Sequence, residues 1–111
     1  MEKLVKGDVV VVPFPFSDLT AAKKRPAIVL ATLEGDDLIL GQITSKVHKD
    51  KYAISLTDKD FKHGSLKVES VIRANRLFTA DRSLILYKVG SIRDNKINEI
   101  IESVISIFRS K

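Results

Sequence analysis

The apolar residues of this chain fall in short, β-branched runs broken by glycine, proline and acidic turns, and that pattern restricts its fold more than any other feature. "GDVVVV", Gly7 to Val12, is β-branched and continuous, which suits a strand buried on both faces. "PFPF" then ends it, because Pro13 and Pro15 have no amide to donate to a ladder. Ser17 to Lys24 reads as a loop. "RPAIVLA" is a second buried strand, with Pro26 tolerable only at its start. After the turn chemistry of "LEGDD", Leu38 to Thr44 ("LILGQIT") is a third strand. Gly41 inside it points to a bulge or a close backbone approach. "SKVHKDK" is a basic loop and "YAISL" a fourth strand. Thr57 to Gly64 is polar and irregular, with room for a short helical turn. "SLKVESVIRANRLFTA" reads as one extended or bent strand and "SLILYKVGSI" as another.

One segment has a different period. Ile97, Ile100, Ile101, Val104, Ile105 and Phe108 recur at the i, i+3, i+4, i+7 spacing of a single apolar helix face. Asp94 is placed to cap that helix by accepting its first amide hydrogens. Five to seven strands and one terminal helix predict a mainly β protein, a small barrel or rolled sheet. With 111 residues, no repeat and no linker, residues 1–111 make one domain.

Lys and Arg number 19 against 14 Asp and Glu, a net charge of +5 that favours anionic partners such as nucleic acid or an acidic protein. There is no cysteine, which excludes disulfides and thiolate zinc sites. No apolar run approaches the ~20 residues of a membrane helix, and "MEKLVKGD" lacks the apolar core of a signal peptide. A cytoplasmic protein with no membrane association is expected. The charge is concentrated at "KKRPAIVLA", where Lys23, Lys24 and Arg25 run straight into a strand. A run of like charge is either a solvated loop or a docking place for an anion.

The ordered set "KGDVVVVPF", "RPAIVLA", "GQITSK", "SVIRANRLFT" and "KVGSI" before a helix resembles the MazF/PemK toxin family, the ribonuclease halves of bacterial type II toxin–antitoxin pairs. The resemblance extends over about the whole chain. It implies an SH3-like barrel with a C-terminal helix, a homodimer, metal-independent cleavage of single-stranded RNA without a cofactor, and an acidic antitoxin covering the RNA groove. The family's arginine in the "RP" motif falls on Arg25, and its threonine after the third strand on Thr44. An arginine and an aspartate used by some members fall on Arg73 and Asn75. Asn75 departs from that pattern, since an amide cannot act as a general base. The loop "SDLTAAKK" also lacks the glycine and glutamate often found before the "RP" motif.

Cleavage of RNA requires a deprotonated 2′-hydroxyl, a stabilised phosphorane and a protonated leaving oxygen. Arg25 suits the second task, because its planar fork matches phosphate oxygens two at a time. Thr44 offers a neutral hydroxyl donor and shares a strand face with Gln42. Lys23, Lys24, Ser45, Lys46, Arg73 and Arg76 are the candidates for an RNA-phosphate track. His48 and His63 lie in polar loops without the carboxylate spacing of a metal site. Phe14 and Phe16 are placed either to stack on bases or to close the barrel. Two other functions fit the same barrel. One is a binder that poisons DNA gyrase; the other is an interaction module without catalysis.

Overall fold

The computed structural model describes residues 3–14, 23–45 and 50–111, with Phe14 described by its backbone alone. The apolar runs form β1 (Asp8–Phe14), β2 (Lys23–Thr32), β3 (Asp37–Thr44), β4 (Ala53–Leu56), β5 (Phe61–Gly64), β6 (Ser70–Asp81) and β7 (Tyr87–Ile92), followed by α1 (Asp94–Arg109). All seven strands join one antiparallel sheet in the order β4-β6-β3-β2-β1-β7-β5.

The sheet is rolled. Ile54 and Leu56 from one edge strand share a buried cluster with Phe61 from the other edge and with Val9, Ile28, Ile43, Ile72 and Ile92 between them. A flat sheet cannot bring both of its edges to one core. Ile97 and Ile100 of α1 close the same cluster, so the concave side and the helix make the main core of an SH3-like barrel. The convex side carries a second cluster, with Val10, Val12, Ala27, Val29, Leu38 and Leu40 beneath Leu4 and Ala80. Strands with buried residues on both faces explain the uninterrupted apolar runs.

Several elements differ from the sequence expectation. β1 runs on through Pro13 to Phe14, and β2 starts at Lys23, which leaves Pro26 inside the strand. Both prolines sit where one neighbour is missing. β7 pairs with β1 only as far as Val11, and the paired register of β3 with β2 reaches only Ala27. A strand with one free side tolerates a residue without a donor. β6 begins at Ser70 rather than Ser65. The polar stretch after Thr57 does contain a 3-10 turn, Asp58–Asp60, but continues into the unexpected strand β5. Gly41 marks an irregularity as anticipated, since the β3–β6 register shifts between Gly41 and Gln42.

α1 covers the anticipated apolar spacing, but Asp94 is its first helical residue; the cap position is Arg93, which makes no side-chain capping bond. Asp94 still complements the positive helix N-terminus. The start of the helix is bolted to the barrel by Arg93 N–H donating to the Asp60 carbonyl at 2.7 Å and Lys96 Nζ donating to the Ser55 carbonyl at 3.0 Å. No helix among the described residues is long and apolar enough to cross a membrane.

Candidate functional site

Strand alternation decides which cations meet. Ala27 and Val29 of β2 point into the convex cluster, as do Leu38 and Leu40 of β3. Continuing outward on the same face, β2 presents Arg25 and β3 presents Gln42 and Thr44. The β2–β3 register ends with Ala27 opposite Gln42; Arg25 and Thr44 each lie two residues beyond that pair, at the same end of the two strands. Two side chains 19 positions apart in sequence are therefore brought to one end of one sheet face, both half-buried. The Arg25 guanidinium makes no ion pair among the described residues.

The same alternation divides the cationic triplet. Lys23 shares the Arg25 face, while Lys24, opposite Pro13 in β1, projects from the other side of the sheet. Both lysines are exposed strand residues rather than loop residues. Strand alternation thus sets Lys23, and not Lys24, on the Arg25 face, because consecutive strand residues cannot share one.

Arg73 also lies on the convex face, between Ile72 and Ala74, which both point into the concave core. It is not open to solvent. Its guanidinium donates to Asp50 at 3.2 Å and 2.9 Å in a two-bond clasp, with the arginine side chain 9% exposed and the aspartate 42%. The Arg73 hydrogen bonds, then that from Tyr52 N–H, hold the Asp50 carboxyl below the usual carboxylate range. A carboxyl whose pKa is lower folded than unfolded stabilises the fold above the ordinary carboxylate range. That contribution is lost as pH falls through the lowered value. Asp50 is therefore expected to titrate below the ordinary aspartate range in a carbon-detected NMR titration, and to move back upward in Arg73→Gln.

Asn75 and Arg76 are exposed on the bulge that separates Arg73, opposite Gln42, from Leu77, opposite Gly41. Ser45 is exposed just beyond the end of β3. His63 is exposed on β5, at the far end of the strand order from β4 and β6. Lys46, His48 and Phe16 lie outside the described residues, as does the Phe14 side chain. Among the described residues, no three His, Cys, Asp or Glu side chains gather as a metal-binding group. Asp50 is the site residue that sequence reasoning missed. Its only signal was a single carboxylate among the cations of "SKVHKDK".

A rolled seven-stranded antiparallel sheet closed by a terminal helix defines a small-barrel protein. The family model for PemK-like, MazF-like toxins of type II toxin–antitoxin systems matches residues 5–108, and the chain belongs to that family. Among solved structures, a MazE–MazF complex from Deinococcus radiodurans superposes with a TM-score of 0.75 at 19% identity, covering 96% of each chain. An endoribonuclease from a mycobacterial species gives a TM-score of 0.73 at 12% identity, covering 97% of this chain and 93% of that one. An endoribonuclease in complex with its cognate antitoxin, also mycobacterial, gives 0.74 at 11% identity, covering 98% and 99%. No curated protein matches the chain.

Proposed function

We propose that this toxin is an endoribonuclease that cleaves single-stranded RNA in the cytoplasm without a metal ion or cofactor, and so stops translation and growth. The observation that carries the reading is the convergence of Arg25 and Thr44 on one sheet face, at the positions of the family's arginine and threonine. Arg25 would hold the non-bridging phosphate oxygens as negative charge develops on the phosphorane. A positioned donor contributes most at that point. Thr44 would donate to the same phosphate and fix its orientation. The test incubates the purified protein with single-stranded RNA and excess chelator. Cleavage supports the reading, whereas a requirement for magnesium, or inhibition of DNA gyrase with RNA left intact, would replace it.

Similar proteins solved in complex with an antitoxin support an antitoxin as partner. A disordered acidic segment would be drawn to the cations that RNA uses and would order on binding. RNA and antitoxin are then expected to compete. Affinity for an uncleavable RNA should fall with salt, with a slope of about −0.7 per phosphate neutralised. Lys23→Ala is expected to flatten that slope by more than Lys24→Ala, because only Lys23 shares the Arg25 face. Equal effects from the two would show that the phosphate track does not follow the sheet face.

A homodimer belongs to the same proposal. On the concave side, an apolar groove of about 460 Å³ runs between the outer half of α1 and the strands, lined by Leu30, Ile39, Leu77, Ile101, Val104 and Phe108. Phe108 is 75% exposed and Ile105 37%. Apolar surface of this kind favours a cover. Sedimentation is expected to give a dimer at micromolar concentration, shifted toward monomer by Phe108→Asp; a parent monomer would contradict it.

A further inference from the structure

β6 lies between β3 and β4 in the sheet, so the chain that leaves β3 at Ser45 re-enters at β4 on the far side of β6. Arg73 is the β6 residue that opposes Gln42 on one side and Ala53 on the other. Its side chain stands on the face that carries Thr44. From Asp50 on, the chain that returns to β4 is tied there by several bonds. Asp50 takes both bonds from Arg73, and its Oδ1 accepts from Tyr52 N–H at 2.9 Å. Ala53 N–H donates to the Asp50 carbonyl at 3.3 Å, and Ala74 N–H donates to the Tyr52 carbonyl at 3.0 Å.

The direction of the clasp matters for RNA. The guanidinium is almost buried, and the more exposed partner is the carboxylate. An incoming phosphate meets an anion at this position rather than a cation. From this geometry we infer that Arg73 is a positioning residue and not an RNA ligand. Through Asp50 it holds the return of the chain into β4 against β6, the strand that pairs with β3 at Gln42 and Thr44. The Asp50–Arg73 pair also marks where the cationic face ends. The inference rests on the ribonuclease reading of Arg25 and Thr44.

The two roles make opposite predictions for Asp50→Asn. If Arg73 positions, Asp50→Asn and Arg73→Gln both lower kcat by roughly 10- to 100-fold, as loss of alignment does. KM and the salt slope of RNA binding then stay near parental values, and the double variant is no worse than either single one. Asp50→Glu, which keeps the charge, restores part of kcat. If Arg73 is a phosphate ligand held in check by Asp50, Asp50→Asn tightens RNA binding and Arg73→Gln weakens it and flattens the slope. That outcome overturns the inference, as do parental kinetics in both variants. A second measurement does not depend on catalysis. Amide hydrogen exchange at Tyr52, Ala53 and Ala74 is expected to rise in both variants, and unchanged exchange in both overturns the inference. If the parent chain cleaves no RNA, the ribonuclease reading falls, and the exchange measurement still decides whether the pair orders this segment.

Discussion

Arg25→Ala is expected to lower single-turnover cleavage of RNA by about 10²- to 10³-fold, the effect of removing one donor aimed at developing charge. The melting temperature should stay within a few degrees of the parent. Arg25 lies beyond the convex cluster at the outer end of β2, and its side chain takes no part in either buried core. Lysine should not rescue it. A point charge on a flexible stem cannot present two parallel donors to two phosphate oxygens. Arg25→Lys is therefore expected to recover RNA affinity far better than turnover. Full activity in Arg25→Ala would remove the arginine from the mechanism. Loss of folding would show that the residue is structural.

The largest expected effect on stability comes from a residue with no side chain. Gly64 and Gly90 face each other where β5 meets β7, and Gly64 has φ +74°. A Cβ at Gly64 would run into the Val89 carbonyl and lie 2.7 Å from the Gly90 Cα. Both obstacles are backbone, so relief requires the strands to part. Gly64→Ala combines that separation with a left-handed backbone that L-residues resist. It is expected to cost on the order of 3 kcal/mol. For a domain of this size the melting temperature should fall by roughly 12 °C, measured by circular dichroism. Gly35, also at positive φ but with open space around it, is the control. Gly35→Ala should cost only about 1 kcal/mol for its backbone conformation. Equal losses at the two glycines would mean that strand approach contributes nothing.

Those glycines show why parts of the fold were hidden in the sequence. "FKHG" has neither alternation nor β-branched residues. β5 exists because two backbones can come close, and a hydrophobic pattern does not record that. The reverse holds for β1, β2, β3 and α1, whose apolar runs and helical period were plain. Arg25 and Thr44 were recognisable from their motifs, but their shared face follows from register, which depends on pairing partners distant in sequence. The placing of Lys24 on the opposite face is hidden for the same reason. Three adjacent cations look like one patch until a strand sends the middle one to the other side. The Asp50–Arg73 clasp joins residues 23 positions apart across a strand insertion. Nothing local in either segment announces it.

The strand order also constrains how the molecule comes into being. β4 has only β6 as a neighbour and β5 only β7, yet each is made before its neighbour. Until the chain has been synthesised through residue 81, only β1, β2 and β3 have adjacent partners; β6 then supplies one for β4, and β5 waits for β7 at residue 92. The two strands that roll the sheet must wait, unpaired, for later ones. Completion is therefore a late and non-local event, of the kind that slows folding. A ribosome carrying a half-made copy holds Arg25 and Thr44 already, but neither the clasp nor the closed barrel beneath them. If the barrel cleaves RNA, the cell that makes it has until β7 is in place to supply whatever restrains it.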